Sequence, residues 1–105
     1  MTVIDFPSSG LSEQDLQALK SEGYRRLEQG LAGHVARGRD ETGQTWAAIL
    51  RNPSGPPLHY FWRDQGVYYV LHVARSGKSR LVDAHRDFTE ILRRLPDEPP
   101  AVLDS

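Results

Sequence analysis

The chain has 105 residues, no cysteine, and 13 Lys/Arg against 14 Asp/Glu, for a formal net charge of −1. That is the length of one domain, and its apolar content suits a small folded core rather than a disordered chain. With no thiol present, disulfides, thiolate metal sites and cysteine nucleophiles are excluded.

The first residues, MTVIDFPSSG, carry neither a basic stretch nor an apolar run. No secretory signal is expected there, and no segment is apolar for long enough to span a membrane as a helix. The expectation is a soluble cytoplasmic protein.

Leu11-Ser12-Glu13-Gln14-Asp15-Leu16 predicts a helix start. Ser12 is the N-cap, Asp15 stands at N3 as a short capping-box acid, and Leu11 with Leu16 forms a hydrophobic staple. Leu16, Leu19, Leu27 and Leu31 share a stripe that Gly23 interrupts. The reading favours one helix to about Leu31 over a stop at Gly23. Segments 34–39 and 44–51 read as two strands joined by the turn Asp40-Glu41-Thr42-Gly43. On the second, Trp46, Ala48 and Leu50 alternate with Ala47 and Ile49. The proline-rich loop 52–57 cannot enter a central strand.

Residues 58–74, LHYFWRDQGVYYVLHVA, form the densest aromatic run. A hairpin closed at Gln65-Gly66 would pair residues whose numbers sum to 131. His59 then faces His72, Phe61 faces Val70 and Arg63 faces Tyr68 on one side. Tyr60 with Leu71, Trp62 with Tyr69 and Leu58 with Val73 occupy the other. The second set is assigned to the core and the first to a contact face, and a one-residue slip on one strand would reverse that strand's faces. Ser76-Gly77-Lys78 is a further turn. Residues 79–82 are either a short fifth strand or the lead into a last helix capped by Asp83. That helix carries Ala84, Phe88, Ile91, Leu92 and Leu95 on one stripe and stops at Pro96.

The predicted fold is therefore α+β and two-layered. A four-stranded antiparallel meander carries an N-terminal and a C-terminal helix on one face, in the order α-β-β-β-β-α. One domain spans 1–96, and 97–105 is an acidic, proline-rich disordered tail.

Charge is unevenly spread. Residues 1–22 set four acids against Lys20, residues 23–81 set nine Arg/Lys against four acids, and residues 82–105 set six acids against three Arg. A basic middle between acidic ends fits complementarity between sheet and helices, and it also fits an anionic partner.

Little else points to chemistry. Gly77-Lys78-Ser79 lacks the glycine five residues earlier that a phosphate-binding loop needs, because His72 stands there. His59 and His72 are close enough as a cross-strand pair to share a metal, but no further ligand is spaced to complete a site. Asp83 and His85 point apart on a helix, and no nucleophile elbow is present. No catalytic group, metal or cofactor is predicted, and an enzyme or metal protein using His59 and His72 stands as an outside alternative.

Two binding readings remain. Arg63, Tyr68, Phe61 and the histidines interleave basic and aromatic groups as a base-stacking platform does. Arg75, Lys78 and Arg80 form an anion-friendly edge beside it. A helix, a meander and a helix preceded by basic residues is similar in element order to the double-stranded-RNA-binding domain, with an extra strand and no Lys-Lys pair opening the helix. That resemblance implies RNA binding, whereas a pI near 6.4 favours another partner. The second reading is a non-enzymatic regulatory or interaction module, an inhibitor or adaptor. It would bind protein through the exposed sheet face at His59, Phe61, Arg63, Tyr68, Val70 and His72. Protein is placed ahead of nucleic acid, with a homodimer through the sheet face or edge, or cover by Val3-Ile4-Asp5-Phe6, as other ways to shield those rings.

Overall fold

The computed structural model describes residues 10–97. Helix α1 spans Glu13–Glu28, strands β1 to β5 span His34–Arg39, Thr45–Leu50, Pro57–Asp64, Val67–Val73 and Ser79–His85, and helix α2 spans Phe88–Arg94. The strands form one antiparallel sheet in chain order. The class is α+β, as the pattern predicts, with five strands rather than four. Of the expected tail 97–105 all but Asp97, which pairs with Arg26 at 3.1 Å, lies outside the described residues, as does the cover at Val3–Phe6.

The start of α1 follows its sequence signals. Asp15 N–H donates to Ser12 Oγ (3.1 Å) and Ser12 N–H donates to Asp15 Oδ2 (2.9 Å), a reciprocal capping box. Leu11 and Leu16 are both buried. The helix passes through Gly23 and ends at Glu28. Gly23 is retained for contact rather than flexibility. A methyl group there would strike the Gly33 carbonyl oxygen and lie 2.9 Å from Val35 Cγ2. In an exposed helix, Gly→Ala would add about 1 kcal/mol of stability. Here Gly23→Ala is expected to lose about 2 kcal/mol through overpacking, readable as a lower urea midpoint.

The fifth strand displaces the predicted helix start. Asp83 and Ala84 pair with Val70 and Tyr69 of β4, so the chain stays extended through His85. Asp87 then caps α2, accepting from Thr89 N–H at 3.0 Å. The apolar stripe survives in the shorter helix, since Phe88, Ile91, Leu92 and Leu95 are all buried.

Both helices lie on one side of the sheet. Leu16 and Leu19 of α1 and Phe88, Ile91 and Leu92 of α2 form one core cluster with Ile49, Leu58, Phe61, Tyr68 and Val70. Phe88 is the keystone for the hairpin, with its ring 6.0 Å from Phe61 and 4.8 Å from Tyr68.

The register of the aromatic hairpin is the predicted one. Gln65 and Gly66 have φ of 51° and 81°, the two left-handed residues of a tight hairpin turn. His59 pairs with His72, Phe61 with Val70 and Arg63 with Tyr68. Leu58 is buried in the core as expected, but for the rest of the hairpin the face assignment is reversed. His59, Phe61, Tyr68 and Val70 are buried beneath the helices, while Tyr60, Trp62, Tyr69 and Leu71 stand half-buried on the opposite face.

Candidate interaction surface

Cross-strand pairing sorts the sheet into rows. On the helix side, one row runs Val35, Ile49, His59, His72, Arg80 and the next runs Arg37, Ala47, Phe61, Val70, Asp83. On the opposite side, one row runs Ala36, Ala48, Tyr60, Leu71, Leu81, and beside it lie Gly38 with Trp46 and Trp62 with Tyr69 and Ala84. The charged members of these rows all fall on the helix side. These two outer rows hold only apolar residues, tyrosines and a glycine, and by alternation the flanking pairs His34–Leu50 and Asp64–Val67 share their face.

The outer rings order one another. Trp62 stacks on Tyr69 with centroids 5.3 Å apart, and Trp46 meets Tyr60 edge-on at 5.5 Å. Trp46 also lies over Gly38, where a Cβ would come within 2.6 Å of its ring. Glycine is needed in β1 because the indole takes the space of a side chain. Leu81, 53% exposed, continues the band onto β5. The described residues of both helices that enter the core, Leu16 and Leu19 of α1 and Phe88, Ile91 and Leu92 of α2, belong to the cluster on the other side. Five strands 4.8 Å apart and about 20 Å long give a face of roughly 400 Å2, and the uncharged rows form its central band. Contiguous apolar surface of this kind marks interaction sites.

The six residues expected at the contact surface sit on the other side. Phe61 and Val70 are wholly buried. Tyr68 donates its hydroxyl to Asp15 at 2.9 Å, and burial followed by this hydrogen bond pushes the phenol up to about 12. Arg63 lies over the Tyr68 ring, 5.2 Å from its centroid, at the hairpin's tip where a long side chain reaches past the ring. His59 is 1% exposed, with neither ring nitrogen hydrogen-bonded among the described residues. Its ring lies 5.3 Å from that of His72. Burial, then His72, Arg26 and Arg51, pushes His59 down to about 4. It is a neutral core residue. Among the described residues no third His, Asp or Glu joins the pair as a ligand set.

The basic edge is divided. Arg75 and Lys78 are exposed on the turn between β4 and β5, while Arg80 belongs to the His72 row. Because β5 follows the turn, these residues do not stand at a helix N-terminus.

The surface residues missed are Trp46, Tyr60, Trp62, Tyr69, Leu71 and Leu81, five of them on strands whose alternation was visible. No local signal marks them: Tyr60, Trp62, Tyr69 and Leu71 are the uncharged set of the hairpin, so charge alone points them to the interior. Comparison with protein-family models, curated proteins and solved structures finds no match.

Proposed function

We propose that this chain is a non-enzymatic interaction module that binds a protein partner through the exposed face of its sheet, at Trp46, Tyr60, Trp62, Tyr69, Leu71 and Leu81. The observation that carries the reading is the outer pair of rows, which holds four large rings and no charge. Interface centres are enriched in Trp and Tyr and depleted in charge, and these rings already hold each other in place, which lowers the entropy lost on docking. Nucleic acid suits this surface less well, since stacking platforms are flanked by Arg or Lys that neutralise phosphate, whereas Arg37 and Arg80 in the sheet rows lie on the helix side. The regulatory or adaptor role follows from this reading alone.

A photo-crosslinking amino acid at Tyr69, expressed in the native cell, should give a discrete protein adduct that resists nuclease. The same group at Arg93, an exposed position on α2, should give none, and Trp62→Glu should abolish the Tyr69 adduct. A nuclease-sensitive adduct, or equal labelling from Arg93, would refute the proposal.

A further inference from the structure

A second concave feature lies on the helix side, at the sheet edge formed by β1. A groove of about 380 Å3 runs between α1 and β1, floored by Leu16, Leu27 and Val35 and rimmed by Lys20, Tyr24 and Arg37. That volume falls in the range of ligand-binding clefts. Tyr24 is 59% exposed, the most exposed large hydrophobic residue described. Lys20 Nζ lies 6.0 Å from its ring centroid.

The strand beside this groove has hydrogen-bonding capacity to spare. Among the described residues β1 pairs only with β2, so alternate N–H and C=O groups along it point away from the sheet. The other edge differs. β5 carries a register shift opposite Val70/Leu71, and such irregularities blunt an edge against pairing. β1 keeps six consecutive pairs with no shift, which leaves a regular template about 20 Å long.

Charge selects the occupant. Among the described residues, Lys20, Arg37 and Arg39 stand along the groove and its continuation against a single acid, Glu13, whose carboxylate lies 3.3 Å from Arg37. Arg37 belongs to the helix-side row, so it lines the groove rather than capping the strand edge. We infer that the groove between α1 and β1 binds an extended acidic peptide as a sixth strand. Backbone groups of β1 hold the peptide, apolar side chains settle on Leu27 and Val35, and carboxylates meet Lys20, Arg37 and Arg39. Strand addition of this kind takes its affinity from the main chain and its specificity from the flanking pockets.

The test uses the full chain and two fluorescein-labelled octapeptides, one alternating Val and Glu and one alternating Val and Lys. Anisotropy should show saturable binding of the Val/Glu peptide and none of the Val/Lys peptide. Arg37→Glu with Arg39→Glu should weaken binding about tenfold. Arg75→Glu with Lys78→Glu makes the same charge change on the β4–β5 turn and should alter binding by less than about twofold. Backbone amide shifts on titration should concentrate in residues 34–39. Absence of saturable binding, equal binding of both peptides, equal loss in the turn variant, or shifts centred on Tyr60 and Trp62 would each overturn the inference.

Discussion

Phe61→Ala is expected to cost about 3–5 kcal/mol of stability, against about 1 kcal/mol for Trp62→Ala. The two residues are adjacent on β3 and both aromatic, so composition and strand propensity do not separate them. What separates them is the face. Phe61 is 0% exposed and its ring meets Phe88 of α2. Truncation leaves a cavity beneath both helices, and a packed core relaxes around such a hole only in part. Trp62 stands on the open face, and its main described ring partner is Tyr69 across the ribbon. Its loss removes one cross-strand aromatic pair and exposes no core. Urea unfolding of both variants measures the contrast, with a common m-value confirming that the transitions are comparable. Equal costs, or a larger cost at Trp62, would place the core on the wrong side of the sheet.

Lowering the pH from 7 to 4 is expected to remove about 3 kcal/mol of stability through His59 alone. His59 falls from an ordinary 6.5 to about 4 in the folded chain. Between those values the unfolded chain binds a proton that the folded chain does not. Stability therefore rises with pH across that window, is fully present above 6.5, and is lost as the pH falls toward 4. Burial is the main cause of the direction, and the groups around the imidazole add to it. His72 lies beside it on β4, Arg26 approaches from α1 and Arg51 from the end of β2. Arg26 is itself committed elsewhere, donating to the Leu95 and Pro96 carbonyls and pairing with Glu22 and Asp97. His59→Leu should flatten the pH dependence. It should also leave stability at pH 7 nearly unchanged, since it removes two buried ring nitrogens that have no hydrogen-bond partner. Urea midpoints measured from pH 4 to pH 7 for both chains decide it, and a wild-type slope that persists in His59→Leu would assign the acid sensitivity to another group.

Much of the fold was legible because it rests on local chemistry. Ser12 and Asp15 announce the first helix by their spacing, and Gln65-Gly66 announces a two-residue turn that fixes every pair in the hairpin. The fifth strand was harder to read. Residues 79–85 carry alternating polar and apolar side chains and two good capping acids, Asp83 and Asp87, and only pairing with β4 decides that the later one caps the helix. Gly23 was ambiguous for a similar reason. Its close approach to Gly33 is a tertiary contact between residues that sequence alone does not bring together.

The candidate surface was half legible. Alternation separated Tyr60, Trp62, Tyr69 and Leu71 from His59, Phe61, Tyr68 and Val70, and that division holds. Which set faces the helices was not written in the hairpin, because both sets are largely apolar and each contains aromatic rings. His59 and Arg63 suggested solvent. In the fold, His59 is a buried neutral imidazole, and Arg63 is a strand-end residue beside the Tyr68 ring. A polar side chain near a strand's end marks the face weakly, since a long side chain can leave the core there. The row through Ala47, Phe61 and Val70 carries the real information, because small and branched neighbours leave room for Phe88.

The direct test of the face assignment exploits the absence of cysteine from the chain. Tyr69→Cys and Val70→Cys place a single thiol at consecutive positions of β4, on opposite faces of the sheet. Native-state reaction with a maleimide should label position 69 at nearly the rate of the unfolded chain. Position 70 should be slower by at least about a thousandfold, because labelling there requires opening of the core. Protection at 69 with rapid labelling at 70 would contradict the account and return the contact surface to the other side of the sheet.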